Sequence, residues 1–403
     1  MPSTPPEGDP APADGRLPAP ALAGLATRPL SLYVHVPYCA SRCGYCDFNT
    51  YTAAELGAVP GASQDAYLAA SVAELDLART VLGEPHELQS VFFGGGTPTL
   101  LPAHALAGLL DAVRSRFPLA AGAEVTTEAN PESVDPAYLD TLVEAGFNRI
   151  SLGMQSARPG VLAVLERRHT PGRVGEVVRW ARAAGFGSVS VDLIYGSPTE
   201  TLADWRASLE TALGYAPDHV SAYSLIVEPG TRLAARIGRG DLPAPDDDFH
   251  ADCYLLAEEL LTAAGLAAYE VSNWARPGQE SRHNLAYWLG HDWWGVGPGA
   301  HSHVNGVRWW NVRHPRDYTA RLAAGSSPAQ AREVLDAGQR RVERMLLELR
   351  LSQGLPLDVL TAAEQARVAG VVTSGLGTIE AGRLRPTLQG RLLADAVVRD
   401  LLD

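Results

Sequence analysis

Short β-rich runs alternate with longer segments of helical period from residue 31 onward, and this alternation restricts the fold more than any other feature of the sequence. Such a pattern favours parallel strands joined by crossover helices. The six predicted strands begin at Leu32, Leu88, Ala123, Asn148, Ser188 and His219. Six βα units suggest an α/β fold, an open (β/α)6 partial TIM barrel with a small, mainly helical C-terminal domain. We expect every motif described below to lie at the C-terminal ends of the strands, where chemistry gathers in such barrels.

Composition divides the chain into four expected segments. Residues 1–29 are rich in Pro and Ala and lack the basic and apolar parts of a signal peptide, so we expect a disordered leader. The barrel is expected over residues 30–265, followed by an aromatic and His-rich segment over residues 266–310. Residues 311–403 are predicted to form the small C-terminal domain, helical with short strands.

Charge and cysteine content exclude several classes of protein. A formal net charge of −13 argues against nucleic acid as a partner, because phosphate binding favours a basic surface. No run of apolar residues approaches the roughly 18 that a membrane span needs. Three of the four cysteines fall within eight residues, which suits one metal centre in a reducing compartment better than a set of disulfides. We therefore expect a cytoplasmic protein.

The cysteine motif Cys39-x3-Cys43-x2-Cys46 follows the first predicted strand. Three thiolates can hold three irons of a [4Fe-4S] cluster and leave the fourth iron to an external ligand. The amino and carboxylate groups of S-adenosylmethionine (SAM) are suited to that iron. The alternatives are core cysteines or a zinc site, which would need His35 or a distant fourth ligand.

Polar residues end several of the predicted strands. A glycine-rich turn, Gly94 to Thr99, follows the second strand, and it would let backbone groups approach the amino and carboxylate end of SAM closely. Glu128, Gln155 and Asp192 lie at or near the ends of later strands, where a carboxylate can accept from an ammonium and an amide can donate to a carboxylate. Hydrogen bonding among these residues themselves is the alternative interpretation.

The segment YVHVPYCASRCGYCDF resembles the radical SAM superfamily, and within it the branch of oxygen-independent coproporphyrinogen III oxidases and HemW-type heme chaperones. The resemblance runs from about Leu32 to the C-terminus. It implies that the three cysteines bind the cluster and that Tyr45 shields it from water. It also implies a set of SAM contacts: Tyr33, Tyr45, Gly95, Gly96, Thr97, Glu128, Gln155, Arg167 and Asp192.

Two features separate the oxidases from the chaperones within this branch. The oxidases carry a further cysteine two positions after the third cluster ligand, and Phe48 stands there in this chain. The run His283 to Trp288 matches the HNxxYW motif that the resemblance associates with heme binding by the chaperones. It implies heme b contacts at His283, Asn284, Tyr287 and Trp288.

Composition around this motif admits two interpretations. Six of the eight tryptophans fall between Trp274 and Trp310, which fits a flat aromatic ligand such as heme. Packing between two domains is the alternative, and His291, His301 and His303 would then satisfy loop carbonyls. Cys253, the remaining cysteine, is predicted to lie in the core.

The leading hypothesis is a heme chaperone that passes heme to apo-hemoproteins, respiratory enzymes among them. The first alternative is a coproporphyrinogen III oxidase, although Phe48 predicts no such activity despite the radical SAM residues. The second is another radical SAM enzyme with an unrelated flat substrate. Membrane association is expected to be peripheral at most, through an Arg-rich helix near Arg340. Whether a homodimer forms is left open.

Overall fold

A computed structural model describes residues 7–84, 86–167, 170 and 172–402. Within these residues 13 strands form one sheet and three more form a small second sheet. The strands are β1 (Asp9–Pro10), β2 (Leu30–Val36), β3 (Leu88–Gly95), β4 (Leu119–Ala129), β5 (Arg149–Gln155), β6 (Ser188–Tyr195), β7 (His219–Ser224), β8 (Ala267–Glu270), β9 (Asn273–Ala275), β10 (Asp292–Val296), β11 (His301–Val304), β12 (Val307–Asn311), β13 (Ala329–Val334), β14 (Leu355–Pro356), β15 (Gly377–Glu380) and β16 (Arg383–Pro386).

Helices connect these strands, form part of the small C-terminal domain and, between the barrel strands, pack against the outer face of the large sheet. They are α1 (Ala19–Leu22), α2 (Ala53–Leu56), α3 (Gln64–Leu82), α4 (Ala103–Arg114), α5 (Pro136–Ala145), α6 (Pro159–Val164), α7 (Arg173–Ala184), α8 (Leu202–Gly214), α9 (Arg232–Gly238), α10 (Asp247–Ala263), α11 (Arg282–Trp288), α12 (Pro315–Ala323), α13 (Ala337–Glu348), α14 (Ala362–Thr373), α15 (Leu388–Leu392) and α16 (Ala394–Leu402).

Strands β2 to β7 are neighbours in chain order and pair in parallel, as the alternation predicts. At one edge β10 pairs in parallel with β2, and at the other β9 pairs antiparallel with β7. The order of the sheet places β8 and β1 at its two ends, so the barrel stays open. The prediction of an open α/β barrel is confirmed.

The alternation of side chains along the barrel strands separates an apolar outside from a polar inside. On β2, Leu32, Val34 and Val36 are buried in the main hydrophobic core, where each contributes about 1.5–3 kcal/mol. Tyr33 and His35 point to the opposite face because successive side chains of a strand alternate. We call the space that this inner face encloses the lumen.

The N-terminal segment makes tertiary contacts within its described residues 7–29, where the sequence predicts a disordered leader. Strand β1 pairs antiparallel with β13, with Asp9 opposite Arg332. Leu25 is buried in the main core, and the Arg28 guanidinium lies 2.6 Å from the Asp292 carboxylate. The segment gains order by completing a distant sheet edge, while residues 1–6 lie outside the described residues.

The C-terminal unit begins later than predicted. The expected boundary after residue 310 falls inside β12, which pairs with β11 and β13 in the large sheet. A second, separate core is built by the elements from α13 onward, and Met345, Leu355, Val368 and Leu401 are buried in it. Strands β14 to β16 accompany four helices here, so the mainly helical character of the unit is confirmed.

Two arginines of the Arg-rich helix α13 form ion pairs with carboxylates of the C-terminal region. Arg341 lies 2.7 Å from the Glu364 carboxylate, and Arg344 forms an ion pair with the buried Glu348. In the described part of the chain, no helix combines the length and apolarity needed to cross a membrane.

Candidate functional site

The loop that carries the three cysteines leaves the C-terminal end of β2 and is held from both sides. The Gly44 amide donates to the Leu165 carbonyl at 3.0 Å, and the Gly44 carbonyl accepts from the Leu233 amide at 2.8 Å. The Cys39 amide donates to the Tyr51 carbonyl at 3.0 Å. All three thiols are free and partly buried. Backbone hydrogen bonds from three other segments thus fix the loop.

Burial disfavours the ionised form of the thiols in this loop. Burial raises the pKa of Cys39 and raises that of Cys46 to about 11, so a thiolate is costly here without a bound cation. Arg167 offsets part of that cost, since its Nη1 lies 3.8 Å from the Cys43 Sγ. The Thr97 and Thr50 hydroxyls lie 4.0 Å and 3.9 Å from Cys39 Sγ and Cys46 Sγ.

His35 is turned away from the thiols, which removes the zinc alternative that depends on it. Its Nδ1 lies 2.9 Å from the Tyr33 hydroxyl and its Nε2 lies 2.8 Å from the Asn49 carbonyl. Burial lowers the pKa of His35 to about 4, so the imidazole is neutral. Three thiolates on one loop fit a [4Fe-4S] cluster, because each would bind a different iron.

Three amides of the glycine-rich turn are hydrogen-bonded within the protein. The Gly95 amide donates to Glu128 Oε2 at 3.0 Å, while the Gly96 and Thr97 amides donate to the Val36 and Tyr38 carbonyls. These three amides are therefore engaged within the protein, and the close approach of the turn to the amino and carboxylate end of SAM stays a prediction. Gly95 has φ 107°, and a Cβ there would lie 2.5 Å from the His35 ring.

Two carboxyl groups face each other in the lumen. Burial and the nearby Asp192 raise the pKa of Glu128 to about 8. Burial also raises the pKa of Asp192, which accepts from the Ser151 hydroxyl at 2.8 Å and 2.9 Å. A cationic ligand would relieve both carboxyls, and SAM carries a sulfonium and an ammonium. These two acceptors therefore fit the cationic groups of SAM. Glu128 accepts fewer hydrogen bonds from the protein than Asp192 does.

Gln155 and Arg167 meet above Gly153 at a break in β5. Gln155 has φ 65°, and the register between β5 and β6 shifts between Gly153 and Gln155. A Cβ on Gly153 would lie 2.8 Å from Gln155 Nε2 and 2.9 Å from Arg167 Nη2. Left-handed backbone at a bulge re-aims a side chain, which is common beside functional sites. Arg167 Nε is buried and has no hydrogen-bond partner among the described residues, so it can donate to a ligand.

Two tyrosines of the predicted SAM set lie at different depths. Tyr45 packs with an apolar cluster that includes Leu165 and Leu233, next to Cys43. Tyr33 lies deeper in the lumen, where its ring is 6.2 Å from the rings of both Phe92 and His283. Tyr45 is thus well placed to shield a cluster, whereas Tyr33 lies closer to the floor of the barrel.

The predicted heme motif closes the opposite end of the barrel, so the expectation that every motif lies at the C-terminal strand ends is wrong here. Helix α11 begins over β4, where the Glu124 carboxylate accepts from the amides of Arg282 and His283 at 3.1 Å each. His283 Nδ1 lies 2.9 Å from the Ser90 hydroxyl and its Nε2 lies 2.8 Å from the Tyr287 hydroxyl. The buried imidazole therefore presents no free nitrogen in this conformation.

The aromatic segment serves packing to a large extent. Trp274, Trp294, Trp309 and Trp310 are buried, while Trp288 and Trp293 are partly exposed. Burial raises the pKa of Glu270 to about 8, and Trp288 hydrogen-bonds to that carboxyl. The tryptophan count is therefore explained mainly by the core.

Sequence reasoning missed the residues that fix the end of the cysteine loop. Asn49 Nδ2 donates to the Pro298 and Arg313 carbonyls at 2.9 Å and 2.8 Å. Its position three residues after Cys46 was the available signal. The partners lie far away in the chain and are not visible from sequence.

Comparison with known proteins identifies the family. The profile of the radical SAM superfamily matches residues 33–212, which include every predicted cluster and SAM contact. A heme chaperone HemW from Mycobacterium tuberculosis is 52% identical over 383 residues, covering 95% of this chain and 97% of its own length. The chain belongs to the HemW family. The resemblance deduced from the sequence is confirmed.

Other HemW relatives support the same assignment. HemW of Escherichia coli is 40% identical over 295 residues, covering 72% of this chain and 75% of its own. The mouse mitochondrial radical S-adenosyl methionine domain-containing protein 1 is 38% identical over 352 residues, covering 86% and 76%. The superfamily carries a [4Fe-4S] cluster and SAM.

A solved relative shows the shared fold. Coproporphyrinogen III oxidase HemN from Escherichia coli superimposes with a TM-score of 0.81 over 95% of this chain and 92% of its own. The two sequences are 24% identical, so the likeness establishes the architecture alone.

Proposed function

We propose that this HemW-family protein is a heme chaperone, which binds heme b and delivers it to apo-hemoproteins, respiratory enzymes among them. The observation that carries the proposal is the 52% identity to a heme chaperone HemW over 95% of the chain. The proposal includes a cytoplasmic location, which the clustered cysteines favour.

The cluster and SAM would occupy the C-terminal end of the barrel. Cys39, Cys43 and Cys46 would hold the [4Fe-4S] cluster, which supplies a one-electron centre and an open iron site. Glu128 would accept from the SAM ammonium, and Arg167 Nε would donate to its carboxylate. The remaining predicted contacts, Tyr33, Tyr45, Gly95, Gly96, Thr97, Gln155 and Asp192, line the same end of the barrel or the lumen below it.

Phe48 supports delivery of heme over its synthesis. Its side chain is 56% exposed beside Cys46, at the position where the oxidases have a cysteine. The fourth cysteine of the chain, Cys253, is buried in α10 and supplies no thiol to this loop. Anaerobic incubation of the reconstituted protein with coproporphyrinogen III and a reductant is expected to yield no protoporphyrinogen.

Heme would be held by His283, Asn284, Tyr287 and Trp288 at the floor of the barrel. Because both nitrogens of His283 are hydrogen-bonded, axial ligation of the heme iron requires the imidazole to break its bond with the hydroxyl of Ser90 or of Tyr287. The aromatic rings of α11 would then supply flat apolar surface to the macrocycle.

Replacing His283 with alanine is expected to weaken heme binding about tenfold, which corresponds to losing about 1.4 kcal/mol from the axial bond. Heme titration of the reconstituted protein, followed by Soret absorbance, measures the affinity. His303→Ala is the matched control, because that buried imidazole is also bonded at both nitrogens but lies outside the motif. Equal heme affinity of the His283 variant and the unchanged protein would contradict the assignment of His283 as a heme ligand. If the unchanged protein did not bind heme stoichiometrically, the proposed chaperone function would be contradicted.

A further inference from the structure

Glu74 is a fully buried carboxylate on α3 that belongs to neither predicted site. Three donors from three separate elements converge on it. The Gly297 amide lies at 2.8 Å, the Asn311 Nδ2 at 2.7 Å and the Tyr318 hydroxyl at 2.6 Å. Burying a carboxylate costs several kcal/mol unless hydrogen bonds replace water. Burial raises its pKa to about 7, and these bonds oppose the rise.

The loop that Glu74 holds packs directly on the cysteine loop. Pro298 accepts through its carbonyl from Asn49 Nδ2 at 2.9 Å. Gly299 has φ 73°, and a Cβ there would lie 2.5 Å from that same Nδ2. At Gly297 a Cβ would overlap the His35 carbonyl. The contact therefore depends on close backbone approach, and a shift of the loop 297–299 would displace Asn49.

Asn49 in turn reaches both ends of the cysteine motif. Its carbonyl lies 2.8 Å from His35 Nε2, four residues before Cys39. The next residue, Thr50, brings its hydroxyl within 3.9 Å of Cys46 Sγ. A displacement of Asn49 would therefore move the surroundings of two of the three predicted iron ligands.

We propose that Glu74 is a positioning residue for the iron–sulfur cluster. It fixes the loop 297–299, which fixes Asn49 and so sets the environment of Cys46. Groups that hold and orient metal ligands from outside the coordination sphere tune affinity and potential. The inference rests on the cluster part of the proposed function and is independent of heme binding.

Glu74→Gln is the test. The glutamine side chain keeps the shape of glutamate, but its NH2 group replaces one oxygen and faces a hydrogen-bond donor where an acceptor is needed. Iron loss to a chelator from the reconstituted protein is expected to become about tenfold faster. The EPR spectrum of the reduced cluster is expected to change, and the midpoint potential to shift. Asn49→Ala should reproduce these changes, and the double variant should add nothing, because the two residues act in series.

Glu348→Gln is the matched control, since Glu348 is a buried carboxylate of the separate C-terminal core. It is expected to lower the melting temperature without altering cluster spectrum or iron loss. If Glu74→Gln does not fold, Tyr318→Phe replaces it as the test. That variant removes a single donor to Glu74 and is expected to give a smaller effect of the same kind. An unchanged cluster in a folded Glu74→Gln variant overturns the proposal. Failure of the unchanged protein to assemble a cluster overturns both this inference and the cluster assignment.

Discussion

Replacing Cys43 with serine is expected to abolish cluster assembly. Serine is a poor iron ligand at neutral pH because its hydroxyl stays protonated, whereas metal binding deprotonates a thiol readily. The variant also loses the sulfur that Arg167 contacts at 3.8 Å. Iron content and the visible absorbance of the cluster after anaerobic reconstitution are expected to fall to background. The apoprotein should stay folded, because Cys43 itself belongs to none of the hydrophobic clusters of the described residues.

Cys253→Ser provides the control for this result. Cys253 is fully buried in α10, and its carbonyl accepts from the Trp205 indole at 2.8 Å. A buried hydroxyl there is expected to cost about 1–3 kcal/mol of unfolding free energy while leaving the cluster intact. A full cluster in the Cys43 variant, or its loss in the Cys253 variant, would refute the assignment of ligands.

Glu128→Gln is expected to weaken SAM binding while stabilising the apoprotein at alkaline pH. The variant loses a charged hydrogen bond to the ammonium, which is worth about 1.5–3 kcal/mol, or roughly ten- to hundredfold in affinity. Calorimetric titration of SAM into the reconstituted protein measures this loss. The Gly95 amide keeps its acceptor, because a glutamine oxygen can replace Oε2.

The sign of the pH effect follows from the raised pKa of Glu128, about 8 against an ordinary value of 4.5. Between these values the folded apoprotein binds more protons than the unfolded chain, so the free energy of unfolding falls as pH rises. The variant lacks that loss. Its melting temperature is expected to exceed that of the unchanged apoprotein at pH ~8.5, and the gain should shrink toward pH ~5.

Glu270→Gln separates the two effects. Burial also raises the pKa of Glu270 to about 8, but the residue is outside the predicted SAM set. This variant should show the same pH-dependent gain with unchanged SAM affinity. Equal loss of SAM binding in both variants would mean that the loss comes from a changed charge in the lumen. It would contradict a direct contact between Glu128 and SAM.

The sequence determined the barrel and the cysteine loop, because both depend on local patterns. Strand and helix periods act over a few residues, so the six parallel strands could be deduced without structure. The spacing of Cys39, Cys43 and Cys46 lies within one loop, and Phe48 and the HNxxYW motif are equally local. These short runs were sufficient to predict the family.

Tertiary structure decided what depends on distant partners. Asp9 and Pro10 pair with β13, more than 300 residues away, and Leu25 enters the main core. Trp294, Trp309 and Trp310 are buried because β10 to β13 extend the barrel sheet, and composition alone does not reveal that extension. His283 lies on the barrel floor because Glu124 and Ser90 of other strands bind α11 there. Glu74 reaches the cysteine loop only through a fold that joins α3, the loop 297–299 and Asn49, and no periodicity records such a contact.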